Sequence, residues 1–270
     1  MQTGSRMVRS ADGCHLYAEA TGNREKPALL FIPGASTPLS WWRKQFNALS
    51  DAYYCVSFDL RGNGASDEPS DPAAYQESQR WADDIAAIIS AFELSKPTVC
   101  AWSYGGYAFG DYLQHYGQAN LSGVVIVDSG LQLNTDQHRY LVRETFGKLM
   151  GKLFAPDIAT YREGVEDVFR SLTDAPVEDR DQANFHGASF LTAPATWQAM
   201  FGRTIDHTEV FGRVSLPMLV VYGQKDPIHT PLVVEQFREA IPHAQISIYP
   251  CATRPFMSLR KGSRGNSFSL

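Results

Sequence analysis

The chain has 270 residues, a net charge of −5 and an ordinary share of apolar, aromatic and charged residues. That length suits one large domain with a sizeable apolar core. Mild acidity without a basic patch argues against a nucleic-acid partner, and no apolar run is long enough to span a bilayer. The four cysteines (Cys14, Cys55, Cys100, Cys251) lie far apart without metal-site spacing and read as reduced thiols. The opening "MQTGSRMVRSADG" has no apolar core of a secretory signal, so a cytoplasmic protein is expected.

In chain order, "HLYAEA" (15–20) alternates as a strand does, and "PALLFIPG" (27–34) is a short apolar run stopped by Pro33-Gly34. "YYCVSFDLRGNG" (53–64) is a strand entering a Gly-rich turn. Residues 77–92 carry Trp81, Ile85, Ile88 and Ile89 at helical spacing. "PTVCAWSYGGYAFGDYLQHYG" (97–117) reads as strand, tight turn, helix. "LSGVVIVDSG" (121–130), "LPMLVVYGQKD" (216–226) and "AQISIYP" (244–250) are further apolar strands. Apolar strands separated by helices predict an α/β fold with a mostly parallel sheet covered on both faces. The alternation stops over residues 131–213, which are rich in aromatics such as Phe146, Tyr161, Phe185 and Trp197. Its place in the chain favours a helical cap over a site, inserted into a core of residues 1–130 and 214–250. Packed amphipathic helices of no special function are the plainer alternative.

The chemistry is expected at "CAWSYGG". Ser103 lies between a strand and a helix, with Ala101 two residues before it and Gly105 two after. A hydroxyl on such a sharp turn is exposed, and small flanking residues let neighbouring backbone pass close by. Its alternative use is a helix N-cap. An acyl-transfer site also needs two N–H donors for the oxyanion. Tyr104 N–H, just after the serine, is one. Ala35 N–H, in the "FIPGAS" turn, is the expected second. Asp226, just past a late strand, is the expected acid, with Asp128 at the end of "VVIVD" as its rival.

Together "FIPGAS", "FDLRGNGASD", "AWSYGG" and "YGQKDPIHTP" make the chain resemble the α/β-hydrolase superfamily, in its lid-bearing serine branch, over residues 7–250. The early His-Gly of that family is Pro33-Gly34 here. The block from Asp59 to Asp67 matches a family turn that is structural. Serine rather than aspartate at the turn argues against haloalkane dehalogenases and epoxide hydrolases. The resemblance implies a serine hydrolase of a small ester, lactone or related acyl compound, with Ser103 and Asp226 catalytic. It implies a small-molecule substrate, no cofactor, no metal, and no nucleic-acid or membrane partner. Trp41, Trp42 and Trp102 are candidates for an apolar acyl pocket, though core packing is an equal use for tryptophan.

One part is missing. The family ends in a strand followed by a block whose histidine is the general base. Here "AQISIYP" is followed by "CATRPF", and alignment of Pro255-Phe256 puts Thr253 in the histidine position. Threonine cannot cycle a proton near neutral pH. His15, His115, His138, His186, His207 and His243 fall in the wrong segments; His229, three residues after Asp226, is the only local substitute. The last stretch, 251–270, lacks apolar periodicity and reads as an aberrant, poorly ordered tail. With suitable synonymous codons, Ala252 onward re-reads in a shifted frame as His-Ala-Pro-Phe-Tyr-Glu-Ser-Pro-Glu-Arg-Phe, a family-like ending. A frame change, a deliberate substitution and a natural loss of the base are the three explanations. Impaired hydrolysis is expected. A non-catalytic binding protein, a C–C bond hydrolase and a haloperoxidase-like enzyme are the alternatives.

Overall fold

The computed structural model describes residues 2–172 and 178–252. The first strands are β1 (Gln2–Arg9), β2 (His15–Gly22) and β3 (Ala28–Ile32). Helix α1 (Arg43–Leu49) leads to β4 (Tyr54–Phe58), and α2 (Ala73–Gln76) and α3 (Ser78–Ala91) lead to β5 (Thr98–Trp102). Helix α4 (Tyr104–Tyr116) leads to β6 (Gly123–Val127). An inserted region follows. It comprises β7 (Gln132–Leu133), α5 (His138–Leu141), α6 (Glu144–Leu153), α7 (Ile158–Ser171), α8 (Asp179–Leu191), α9 (Pro194–Phe201), β8 (Ile205–Asp206) and α10 (Thr208–Gly212). The chain then completes the sheet with β9 (Met218–Gly223), α11 (Leu232–Ala240) and β10 (Gln245–Tyr249).

Among these residues an eight-stranded sheet has the order β1-β2-β4-β3-β5-β6-β9-β10. The pairs β1–β2 and β2–β4 are antiparallel and the other neighbours are parallel. This is the mostly parallel α/β architecture expected from the apolar runs. Strand β1 carries little signal of its own in the sequence. Its sequence, QTGSRMVR, lacks apolar alternation, and eight register pairs with β2 hold it instead.

The central strands have period-two side chains that serve two cores. Leu30 and Ile32 of β3, Val99 and Ala101 of β5, and Val220 of β9 face one cluster with Ile85 of α3, Phe109 of α4 and Phe237 of α11. Leu29 and Phe31 of β3, Cys100 and Trp102 of β5, and Val221 of β9 face the other. That second cluster is closed by Phe46 of α1 and by inserted residues, including Leu153, Phe169, Phe185 and Trp197. Burial of each such Phe or Leu contributes about 1.5–3 kcal/mol. The insertion is therefore welded to the sheet through one apolar cluster. Trp81, Ile85 and Ile88 of α3 are fully buried, as their spacing predicts, while Ile89 is only partly covered. Cys14, Cys55, Cys100 and Cys251 are buried and form no disulfide among the described residues, and burial pushes the thiols of the first three up to about 12.

Candidate active site

Ser103 occupies the turn between β5 and α4 with φ 51° and ψ −124°, a left-handed backbone that a non-glycine residue adopts only at a cost of about 1–3 kcal/mol. Its N–H donates to the Val127 carbonyl at 3.0 Å, which anchors the turn to β6. The hydroxyl makes no helix-capping bond, so the N-cap use of this serine does not hold. The glycines after it are demanded by space. A Cβ on Gly105 would stand 2.5 Å from the Pro33 carbonyl oxygen, and one on Gly106 would stand 2.2 Å from Ser129 Oγ.

The loop after β3 runs against this turn. A Cβ on Gly34 would come within 3.0 Å of both Ser103 Cβ and the Trp102 ring. Ala35, Ser103 and Tyr104 line one cavity of ≈ 60 Å³. Neither the Ala35 nor the Tyr104 amide is paired with a carbonyl among the described residues. Ser36, at φ 54°, is locked in place. Its N–H donates to Asn63 Oδ1, its hydroxyl to Thr192 Oγ1 at 3.3 Å, and its carbonyl accepts from Ser189 Oγ at 3.3 Å. Asn63 belongs to the Gly-rich turn after β4, so that structural turn shapes the loop carrying Ala35.

The cavity wall is chiefly apolar, with Trp102, Phe146, Met150, Leu153, Phe185, Trp197, Phe201 and Ile228. Of the three candidate pocket tryptophans, only Trp102 lies in this wall. Trp41 stands behind it, stacked on Trp102 at 5.6 Å and tilted on Phe185 at 5.0 Å. Trp42 packs on Phe31 at 5.0 Å. Both are core residues, because the short helical turn at 39–42 directs them into the second apolar cluster.

Asp226 is buried just past β9. Its Oδ1 accepts from the amides of Ile228 at 2.6 Å and His229 at 2.9 Å, and its Oδ2 lies 3.3 Å from His229 Nδ1. Asp128, also buried, caps β6 at φ 42°. Its Oδ1 accepts from Gly223 N–H at 2.7 Å, and its Oδ2 has no partner among the described residues. Burial, and then the neighbouring Asp226 charge, hold the Asp128 carboxyl well above the usual carboxylate range, outweighing the Gly223 amide. The acids are therefore unequal. Asp226 is organised by several donors, and Asp128 favours its protonated form.

The chain beyond β10 reaches these acids. Lys225 N–H donates to the Cys251 carbonyl at 2.9 Å, and a Cβ on Gly223 would meet the Ala252 carbonyl oxygen at 2.2 Å. Thr253 and the rest of the tail through 270 lie outside the described residues. Two imidazoles line the same cavity as Ser103: His229, the local substitute beside Asp226, and His138, whose segment the sequence sets aside. His138 Nδ1 accepts from Asn134 N–H at 3.2 Å. Burial first, and the nearby His229, push its imidazole down to about 4. No local signal marks these histidines as neighbours. They meet because residues 141–143 run beside residues 228–230, with Val142 bridging His229.

Comparison with known proteins accords with this geometry. The chain is 26% identical to 3-oxoadipate enol-lactonase 2 of Acinetobacter baylyi over 234 residues, 84% of this chain and 82% of that protein. It is 24% identical to non-heme chloroperoxidase CPO-A1 of Kitasatospora aureofaciens over 250 residues, 88% of each chain. The crystal structure of esterase RhEst1 from Rhodococcus sp. ECU1013 matches with a TM-score of 0.86 at 27% identity, covering 94% of this chain and 93% of that one. Residues 27–256 match the alpha/beta hydrolase fold family. With the parallel sheet, the strained serine turn and the acids beyond β6 and β9, that match establishes that the chain belongs to the alpha/beta hydrolase fold family.

Proposed function

We propose that this chain is a carboxylic ester hydrolase acting on small esters or lactones with an apolar acyl part, through an acyl-enzyme at Ser103. The observation that carries this reading is the strained Ser103 turn opening into an apolar cavity beside the Ala35 and Tyr104 amides. In this reading Ser103 Oγ attacks the carbonyl carbon, the two amides receive the oxyanion, and the alcohol leaves. Water then releases the acid. Asp226 steadies the imidazole that moves the proton. The inserted helices act as a cap whose aromatic residues select the acyl group. The enol-lactonase and esterase relatives support the same chemistry.

No histidine follows His243 in the sequence, so turnover by this chain is expected to be slow. Loss of one triad member leaves about 10³–10⁴-fold over water in the serine protease case. The test is hydrolysis of p-nitrophenyl butyrate by the chain, by Ser103→Ala, and by a version carrying the re-read, histidine-containing ending. The reading requires Ser103-dependent release of p-nitrophenol that rises when the ending is restored. Equal rates for the two endings would overturn the missing-base argument. The same missing histidine favours a second reading, a ligand-binding protein on this scaffold. It requires thermal protection by an apolar ester with no Ser103-dependent product.

A further inference from the structure

Asp226 has an imidazole partner even without a late histidine. His229 is buried, its Nδ1 lies 3.3 Å from Asp226 Oδ2, and its ring lines the cavity that Ser103 lines. We propose that His229 is the proton acceptor for Ser103 in this chain, working through one water in their shared cavity. The proposal rests on the hydrolase reading above and names the base that reading lacks.

The tautomer is set by Asp226. A carboxylate facing Nδ1 keeps the proton on that nitrogen and leaves Nε2 as the acceptor. Nε2 lies 3.6 Å from where a Cβ on Gly130 would stand, and the hydroxyl of Tyr107, which lines the same cavity as Ser103, lies 2.9 Å from that same point. Tyr107 is one turn beyond Ser103 on α4. The ring is held there by its backbone. Val142 bridges His229, Thr230 N–H donates to the Leu141 carbonyl at 2.8 Å, and Arg143 N–H donates to the Ile228 carbonyl at 2.7 Å. Arg143 Nε also donates to the Asp226 carbonyl at 2.8 Å. The cavity volume accommodates a water.

The groups around the ring permit the role. Asp226 faces it from its own turn, Asp128 stands at the end of β6, and Tyr107 faces it from α4. Tyr222 of β9 meets it edge-on at 6.2 Å, Arg143 flanks the turn, and His138 approaches from α5. His138, pushed down to about 4, is neutral near pH 7 and adds no repulsion to a proton on His229.

In the step itself the water passes a proton to Nε2 as it takes the Ser103 hydroxyl proton. The Oγ–carbon bond forms and the carbonyl π pair moves to the oxygen facing Ala35 and Tyr104. The carbon–oxygen bond to the alcohol then breaks, and the departing oxygen takes the proton back from His229. A second water repeats the sequence and frees the acid.

The test is the rate of labelling by a fluorophosphonate probe, read by intact mass from pH 5 to 9. It uses the full chain, His229→Gln, His229→Ala and Ser103→Ala, each checked for native circular dichroism. His229→Gln is expected to label about 100-fold more slowly and to lose the inflection of the pH profile. Added imidazole is expected to recover part of the His229→Ala rate. An unchanged rate and profile in His229→Gln overturns the proposal. A probe that labels Ser103→Ala as fast as the unaltered chain overturns the nucleophile reading itself, which separates the two failures.

Discussion

The Gly223 amide donates to Asp128 Oδ1 at 2.7 Å, tying the end of β9 to the end of β6. The bond places the rival acid between two parallel strands, with its second oxygen unpartnered among the described residues. Asp226 instead binds two amides of its own turn and faces His229. The choice between the acids therefore follows from their surroundings.

Asp128→Asn is predicted to leave fluorophosphonate labelling within a few-fold, whereas Asp226→Asn slows it by orders of magnitude. The stability effect has a definite sign. A carboxyl raised above its unfolded value stabilises the fold at low pH and loses that contribution as pH rises through its folded value. The Asn variant therefore gains more in melting temperature at pH 8 than at pH 5. A larger gain at pH 5 would contradict the protonated assignment.

Most of the sheet is legible in the sequence because β3, β4, β5, β6 and β9 are largely buried and read as mostly apolar runs, interrupted by few polar residues such as Ser57 and Thr98. The Ser103 turn is legible because Gly105 and Gly106 have backbone and side-chain atoms where a Cβ would go. Strand β1 is not legible, since pairing with β2 rather than apolar burial holds it. Trp41 and Trp42 look like pocket residues by composition, but a helical turn aims them into the core. His138 and His229 are separated by ninety-odd residues and are joined by the strap at 141–143, which no local period reports.

Gly105→Ala tests the packing of the turn. Its Cβ would meet the backbone oxygens of Pro33 at 2.5 Å and Ile32 at 2.8 Å, which have little room to withdraw. A loss of about 1–3 kcal/mol is expected in urea unfolding. Gly106→Ala should also destabilise, because Ser129 Oγ at 2.2 Å can rotate away but Ser129 Cβ at 2.7 Å cannot. Either variant unfolding like the unaltered chain would contradict the packing of this turn.

Tyr161 connects the insertion to the loop carrying Ala35 and Ser36. Its single hydroxyl proton is shared between the Ser189 carbonyl at 2.5 Å and the Thr192 carbonyl at 2.6 Å, and both residues bond Ser36. Tyr161→Phe takes this donor from the Thr192 carbonyl, while the Ser189 carbonyl keeps the Thr192 N–H at 3.2 Å, and should cost about 1–3 kcal/mol. It should also slow labelling at Ser103 while leaving the affinity for an apolar acid product nearly unchanged. Unfolding and labelling that match the unaltered chain would show that the loop does not need this link.

His138 sets an acid limit. Its imidazole is pushed from the ordinary 6.5 of a free histidine down to about 4 in the fold, so the unfolded chain binds more protons between those values. Stability therefore rises with pH across that window and is levelled above it. Urea midpoints measured from pH 4 to 7 should climb, and His138→Gln should flatten the climb. An unaltered slope in the variant would remove His138 as its source.

Every step of the proposed chemistry needs Ser103 as the nucleophile. Its most direct test is peptide mapping of the chain after prolonged exposure to a fluorophosphonate probe. The predicted result is one adduct, on the peptide containing Ser103, that disappears in Ser103→Ala. An adduct elsewhere, or no adduct on a natively folded chain, would contradict it.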